Sequence, residues 1–322
     1  MNHQARVYEN VFEMLPSEVN PTPLVRINKL NPGAEFPLYA KLEWVSPFGS
    51  VKDRAAWELL RDLEDRGELV PGRGMVEPTS GNTGISLAAM ARARGHRLLA
   101  IVPNKIPLEK KLLLKIVGAD LEVISDELCP APGLGDGSIN LAKTHAKASA
   151  QKYVLPNQYE NPKNAEAHFK TTGPEIWKQT EGKITHLFAS LGTCGTVSGT
   201  SKFLRSKNPN IKVIAVQPTE GHDVPGLRNV SQLGVSKLFD PSLVDDILEI
   251  DFHLAYTRAL ELCQNEGLLA GPSSGLIFEG ALEIVRRDKK GHGVMIFPDN
   301  IFKYTTNMTK HIPGLSDGTQ PK

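Results

Sequence analysis

The amino-acid sequence predicts an α/β protein made of parallel sheets covered by helices. Short apolar runs alternate with helical patterns from residue 35 to the C-terminus, which is the order of parallel strands joined by helical crossovers. Turns rich in glycine and hydroxyl residues directly follow two of the apolar runs. The chain has 322 residues, a length that favours about two domains.

In the first half, apolar runs predict strands, and helical patterns that end near glycine predict helices. The predicted strands are 37–42, 74–77, 97–102 and 121–124, and the predicted helices are 50–67, 82–94, 108–117 and 139–153. The polar stretch 126–136 contains Pro and Gly, which indicates a surface loop.

The pattern breaks at 157–164, which indicates a domain change near residue 155. Beyond this break the alternation returns, with a looser segment over 219–241. The predicted strands are 186–190, 212–216 and 294–297, and the predicted helices are one that ends at Lys207, 252–266 and 275–287.

The composition excludes several classes of protein. Lys and Arg number 37 against 36 Asp and Glu, so the formal net charge of +1 argues against nucleic-acid binding. No apolar run approaches the roughly 20 residues that cross a bilayer, so no membrane partner is expected. The cysteines (Cys129, Cys194, Cys263) and the histidines lack metal-binding spacings, so no metal is expected. Without a signal segment, a cytoplasmic location is predicted.

Two strand-to-helix turns are candidates for anion binding. Ser190-Leu-Gly-Thr-Cys-Gly-Thr-Val-Ser-Gly199 joins a predicted strand to a helix, where backbone N–H groups and the helix dipole attract phosphate. It matches neither a Walker loop nor GxGxxG, and the alternative is an ordinary tight turn. Glu77-Pro-Thr-Ser-Gly-Asn-Thr-Gly84 has the same form and suits a carboxylate, with an ordinary capped helix as the alternative. Together the turns predict a ligand with both a phosphate and a carboxylate.

Lys52 is a candidate for covalent chemistry. It stands at the predicted first turn of a helix, among apolar neighbours. The positive end of the helix and desolvation both lower the pKa of an amine, and such an amine forms Schiff bases. The alternative is a solvated surface lysine.

Four motifs in a fixed order resemble the fold type II (tryptophan synthase β-like) pyridoxal-phosphate enzymes, specifically the cysteine synthase and cystathionine β-synthase family. The motifs are Pro47-Phe-Gly-Ser-Val-Lys-Asp-Arg54, Thr79-Ser-Gly-Asn-Thr-Gly84, Gly192-Thr-Cys-Gly-Thr196 and Gly271-Pro-Ser-Ser-Gly275. The resemblance implies two doubly wound parallel-sheet domains with the active site between them. The smaller covers 45–155, and the larger combines 1–44 with 156–322.

The resemblance also implies a role for each motif. Lys52 would carry pyridoxal 5'-phosphate and act as the base at the substrate α-carbon. The cofactor phosphate would lie on the loop Gly192, Thr193, Cys194, Gly195 and Thr196, where Cys194 replaces the glycine common in the family. Asn82 would bind the ring hydroxyl and Ser273 would face the pyridine nitrogen. The substrate carboxylate would be bound by Thr79, Ser80, Asn82, Thr83 and Gln158.

The implied reaction is a β-replacement. A hydroxyl cannot keep the pyridine nitrogen protonated as a carboxylate would, which favours rapid loss of a β-substituent. The resemblance implies L-cysteine formation from an activated serine and sulfide through an aminoacrylate. The segment around Arg228, in its Leu-Arg-Asn context, resembles the family branch that uses O-phosphoserine. This resemblance implies O-phosphoserine in preference to O-acetylserine, and a guanidinium suits a phosphate because it can bind it with two hydrogen bonds; an exposed loop arginine is the alternative.

Other activities remain open from the sequence. One is β-replacement with homocysteine or another nucleophile, as in cystathionine β-synthase. The segment Phe297-Pro-Asp-Asn-Ile-Phe-Lys-Tyr-Thr-Thr-Asn307 resembles the end of that enzyme's catalytic core. Another is a non-catalytic partner protein that binds pyridoxal phosphate. A homodimer is expected because family members are commonly dimeric.

Overall fold

The strands form two separate sheets in the computed structural model, which describes residues 6–33, 35–126 and 136–316. The strands are β1 (Leu24–Arg26), β2 (Leu38–Leu42), β3 (Gly74–Pro78), β4 (Leu98–Pro103), β5 (Asp120–Ile124), β6 (Tyr153–Val154), β7 (His186–Ser190), β8 (Lys212–Pro218), β9 (Asp246–Ile250) and β10 (Gly293–Phe297). The smaller sheet has the order β5-β4-β3-β6, and the larger sheet has the order β1-β2-β10-β7-β8-β9. All neighbouring strands are parallel except β1, which pairs antiparallel with β2.

The helices separate the strands along the chain. They are α1 (Lys52–Asp65), α2 (Asn82–Ala93), α3 (Leu108–Ile116), α4 (Gly137–Ala148), α5 (Lys163–Lys170), α6 (Thr172–Gln179), α7 (Gly195–Lys207), α8 (Phe252–Glu261), α9 (Pro272–Asp288) and α10 (Thr305–His311). The predicted α/β class with two parallel sheets is therefore confirmed. The domain limits 45–155 and 1–44 with 156–322 remain a proposal. Among the described residues, no helix is long and apolar enough to cross a membrane.

Buried apolar residues explain why the central strands form. Every residue of β3 and β10 is buried, as are all but the last residue of β7. Strands covered on both faces by helices need such continuous apolar character. Separate core clusters pack against the two sheets, so each sheet has its own hydrophobic core.

The predicted helix 139–153 is wrong at its end. Helix α4 stops at Ala148, and the backbone N–H groups of Lys152 and Tyr153 both donate to the carbonyl of Ser149. This turn lets Tyr153 and Val154 pair with β3 as an edge strand, a position that suits aromatic and β-branched side chains. The prediction missed β1, β9, α5, α6 and α10, which have three to eight residues each. Residues 127–135, which include most of the predicted 126–136 loop and Cys129, lie outside the described residues.

A buried ion-pair network attaches helix α1 to the larger sheet. Arg54 lies two residues after Lys52. Its Nε is 2.7 Å from Glu43 Oε2, and its Nη1 is 2.5 Å from Glu175 Oε1. Lys41 also pairs with Glu175 at 2.7 Å, and these side chains are at most 1% exposed. Removing one partner of a buried pair typically costs about 3–5 kcal/mol. The network therefore fixes the start of α1 and with it the backbone of Lys52.

Candidate active site

A cavity of about 70 Å³ lies at the carboxyl ends of strands from both sheets. In parallel α/β proteins these ends are where ligands bind. Residues that follow β3, β7 and β10 line it, together with the first residues of α1 and α9. From the predicted site it gathers Lys52, Ser80, Asn82, Thr83, Gly192, Thr193, Cys194, Thr196 and Ser273.

Lys52 presents its side-chain amine to the first cavity. Among the described residues, its Nζ has no hydrogen bond or ion pair, and the side chain lines the cavity. Burial lowers the pKa of Lys52, although the nearby carboxyl of Asp299 opposes this effect. A lowered pKa increases the fraction of neutral amine, which is the form that attacks a carbonyl group or accepts a proton.

The backbone of the loop before α7 has a conformation that suits anion binding. Cys194 occupies the N-cap with a left-handed φ of 66°, a conformation that directs successive N–H groups to one side. A Cβ on Gly195 would lie 2.1 Å from Asn164 Oδ1, and a Cβ on Gly192 would lie 2.9 Å from the Gly226 carbonyl oxygen. A Cβ at either position would collide with these atoms, so both positions strongly favour glycine.

Two side chains outside the motifs support this loop. His168 is fully buried, and its Nδ1 and Nε2 lie 2.8 Å and 3.2 Å from the hydroxyls of Thr172 and Thr196. Burial lowers the pKa of His168 to about 3, so the ring is neutral near pH 7. Asn164 donates through Nδ2 to Thr193 Oγ1 at 3.1 Å. Both threonine hydroxyls of the loop are thus held in place.

The turn before α2 uses part of its polar groups to keep its own shape. Thr79 Oγ1 accepts from the N–H groups of Gly81 and Gly84, at 3.0 and 3.2 Å. Thr83 donates its hydroxyl to Gln158 Oε1 at 2.5 Å, and Gln158 Nε2 donates to the Pro78 carbonyl at 2.7 Å. The free backbone N–H groups at the start of α2 are the donors that remain for a carboxylate. Gln158 and Gly195 support the site without lining either cavity of the active-site region.

A second cavity, of about 130 Å³, adjoins the first and shares Ser80, Pro225, Gly226 and Leu227 with it. Thr79 and Arg228 lie in its wall. The Arg228 side chain is 10% exposed, and its Nη2 donates to Asp136 Oδ2 at 2.7 Å and to Tyr159 Oη at 3.2 Å. Among the residues that the structure describes, its Nη1 is buried and has no hydrogen-bond partner. Arg228 is therefore not an exposed loop residue.

Several polar residues of the cavity wall were absent from the sequence prediction. Asp299, Lys110 and Tyr304 line the first cavity, and all three are at most 2% exposed. Burial lowers the pKa of Lys110 to about 8. The available signal was the polar Asp299 two residues after the apolar strand β10, at the sheet edge where ligands bind.

The donor set fits pyridoxal phosphate. One cavity is surrounded by four kinds of group. They are the Lys52 amine, the helix N-terminus of the loop before α7 with its two threonine hydroxyls, the Asn82 amide and a serine hydroxyl. Ser273, 4% exposed, stands in the first turn of α9 and supplies the hydroxyl. These groups match an aldehyde, a phosphate, a ring hydroxyl and a ring nitrogen. The described residues contain no cluster of His, Cys, Asp or Glu suited to a metal.

Comparison with known proteins gives the class. The sequence profile described as "Pyridoxal-phosphate dependent enzyme" matches residues 15–299. Cysteine synthase B of Salmonella typhimurium is 38% identical over 290 residues, which cover 90% of this chain and 93% of that protein. Cystathionine beta-synthase of Apis mellifera is 35% identical over 93% of this chain and 62% of that protein.

Solved structures agree with the sequence matches. Cysteine synthase of Entamoeba histolytica has a TM-score of 0.83 and 28% identity, covering 96% of this chain and 93% of that one. O-ureido-L-serine synthase has a TM-score of 0.86 and 30% identity, covering 98% and 99%. The chain thus belongs to the pyridoxal-phosphate dependent enzymes. Within them it is a member of the cysteine synthase and cystathionine β-synthase group, whose cofactor is pyridoxal 5'-phosphate.

Proposed function

We propose that the protein makes L-cysteine from an activated serine and sulfide by β-replacement. The observation that carries this proposal is that the Lys52 amine, the loop 192–196 before α7 and the Ser273 hydroxyl line one cavity. The similarity to cysteine synthase B over 90% of the chain supports it. When bound, pyridoxal phosphate supplies an electron sink for the electrons left by the departing α-proton.

Each group of the cavity has a defined task. The loop 192–196 holds the cofactor phosphate on backbone N–H groups and threonine hydroxyls. The N–H groups at the start of α2 orient the substrate carboxylate. Lys52 Nζ removes the proton from the substrate α-carbon and later returns one, because burial lowers its pKa towards the range of a working base. Ser273 offers only a hydroxyl to the ring nitrogen, which favours loss of the β-substituent.

We further propose that the donor is O-phosphoserine. The second cavity adjoins the first, and Arg228 stands in its wall. Within the described part of the chain, its Nη1 has no hydrogen-bond partner. Lys105 lies in the same wall. A leaving phosphate carries negative charge and gains from a guanidinium, whereas an acetyl ester has no charge to neutralise.

Donor preference is tested with Arg228→Ala and Arg228→Lys. Loss of a buried charge-assisted hydrogen bond is worth about 1.5–3 kcal/mol, so kcat/KM for O-phosphoserine should fall about 10- to 150-fold in Arg228→Ala. The value for O-acetylserine should change less than threefold. Arg286→Ala, an exposed arginine of α9 with 61% of its side chain accessible, is the control. An unchanged donor ratio in Arg228→Ala would contradict the O-phosphoserine assignment.

The same assay addresses the alternatives. The volume of the second cavity, about 130 Å³, is larger than sulfide requires. Homocysteine is therefore an alternative nucleophile. Cystathionine formation from serine and homocysteine, without cysteine formation from sulfide, would replace the main proposal. Cofactor binding without turnover of any donor would support a non-catalytic role.

We also propose a cytoplasmic homodimer. Leu108, Leu112 and Ile116 are spaced four residues apart on α3 and are 58%, 49% and 77% exposed. An exposed apolar row of this kind supports a subunit contact. Sedimentation equilibrium of the holoprotein should give twice the chain mass, and a monomer would refute the dimer.

A further inference from the structure

A chain of hydrogen bonds runs along the wall of the first cavity and ends on Asn82. Lys110 Nζ donates to Tyr304 Oη at 2.8 Å, and this hydroxyl donates to Asp299 Oδ2 at 2.6 Å. The same carboxylate oxygen accepts from Asn82 Nδ2 at 2.7 Å. At the other end of the amide, Lys303 Nζ donates to Asn82 Oδ1 at 3.2 Å.

The chemistry of the end groups determines which way the Asn82 amide points. A lysine ammonium can only donate, and an aspartate carboxylate can only accept. Turning the amide over would place its NH₂ group against the Lys303 ammonium and its oxygen against the Asp299 carboxylate. Both contacts would then be repulsive, so one orientation is selected.

The surroundings make this arrangement rigid. Asp299 is fully buried and Lys303 is 5% exposed. Lys303 Nζ also donates to the Gly49 carbonyl at 2.8 Å, in the turn just before α1. Lys303 therefore ties the loop that presents Asn82 to the loop that presents Lys52. A Cβ on Gly271 would lie 2.7 Å from Asp299 Oδ1, so the glycine of the fourth motif leaves room for this carboxylate.

We propose that Asp299 and Lys303 are positioning residues that hold the Asn82 amide in its single productive orientation. One Nδ2 hydrogen is bound to Asp299, and the other remains for the ring hydroxyl of pyridoxal phosphate. This inference rests on the proposed function, because it takes Asn82 as the partner of that hydroxyl. It gives a role to two residues outside the four sequence motifs.

The test measures the affinity of the apoprotein for pyridoxal phosphate in Lys303→Met and Asp299→Asn. When the Asn82 amide is no longer held in one orientation, the affinity for pyridoxal phosphate should fall about tenfold in Lys303→Met. The fall should be somewhat smaller in Asp299→Asn, because the side-chain oxygen of the new asparagine can still accept a hydrogen bond from Asn82 Nδ2. The absorption spectrum of the bound cofactor should change in the same variants. Lys290→Met, which removes a lysine with 78% of its side chain exposed, should leave both readouts unchanged.

An Asn82→Ala background shows whether the two residues act through Asn82. In that background, Lys303→Met and Asp299→Asn should each change the affinity less than twofold. A tenfold loss of affinity in the Asn82→Ala background, or no loss of affinity when Asn82 is intact, would overturn this inference but not the proposed function. Failure of the wild-type apoprotein to bind pyridoxal phosphate would overturn the proposed function as well. Lys303→Met and Asp299→Asn act at opposite ends of the Asn82 amide. If one variant fails to fold, the other still tests the inference.

Discussion

Gly195→Ala should damage the phosphate loop by displacing one buried side chain. The added Cβ would lie 2.1 Å from Asn164 Oδ1 and 2.5 Å from Asn164 Cγ. Asn164, 1% exposed, must retreat by more than 1 Å, roughly the shortfall from ordinary contact. Its Nδ2 now donates to the Gln158 carbonyl at 2.7 Å and to Thr193 Oγ1 at 3.1 Å.

The size of the effect follows from these contacts. Each lost hydrogen bond costs about 1 kcal/mol, and forcing an extra methyl group into a packed site costs about 1–3 kcal/mol. Together they predict a decrease of about 3–5 kcal/mol in the free energy of unfolding. Because Thr193 loses its partner, affinity for pyridoxal phosphate should fall as well.

Urea unfolding of the apoprotein measures the decrease, and Gly234→Ala is the control. A Cβ on Gly234 meets no atom within 4 Å, so its unfolding free energy should stay within about 0.5 kcal/mol of the wild type. In an Asn164→Ala background, Gly195→Ala should cost less than about 1 kcal/mol, because the obstructing amide is gone. A Gly195→Ala protein as stable as the wild type, or a cost unaffected by Asn164→Ala, would refute the reasoning.

Two further predictions concern buried carboxyl groups. Asp136→Asn keeps the cap of α4, because the Asn side-chain oxygen can still accept from Ser138 N, but it removes the charge that pairs with Arg228. The KM for O-phosphoserine should therefore fall about fivefold, which corresponds to ~1 kcal/mol, and the KM for O-acetylserine should not change. An increase in the KM for O-phosphoserine would contradict the assignment of Arg228. Burial raises the pKa of Glu77 to about 8 from 4.5, so the unfolded chain loses this proton first as pH rises. The stability of the wild type relative to Glu77→Gln should therefore fall by up to about 1.4 kcal/mol per pH unit between pH 4.5 and 8; a pH-independent difference in urea unfolding would disprove this.

Local sequence patterns predicted the central strands and the turns that follow them. Strands β3, β7 and β10 are nearly continuous apolar runs, and their ends carry small polar residues. This signal is local, because a strand covered on both faces is apolar along nearly its whole length; the buried Glu77 in β3 is an exception. Strand β6 was missed because its two residues follow an Ala- and Lys-rich helix and gain their partner only from β3.

Contacts distant in sequence explain what the motifs did not predict. The Asp299–Asn82 hydrogen bond joins residues 217 positions apart, and no local pattern records such a pair. Gln158 was predicted to contact the substrate, but its side-chain amide is used by Thr83 and Pro78. Its role in substrate binding therefore stays a prediction, whereas its support of the α2 turn follows from these bonds.

The central claim is tested most directly by measuring L-cysteine formed from an activated serine and sulfide, with wild-type holoprotein and with Lys52→Ala reconstituted with the same cofactor. The wild type should form cysteine, and Lys52→Ala should be slower by at least about 10²-fold, because general-base catalysis contributes 10²–10⁴-fold. Lys290→Ala should match the wild type. Cysteine formation that persists at the wild-type rate in Lys52→Ala, or that is absent from the wild type, would contradict the account.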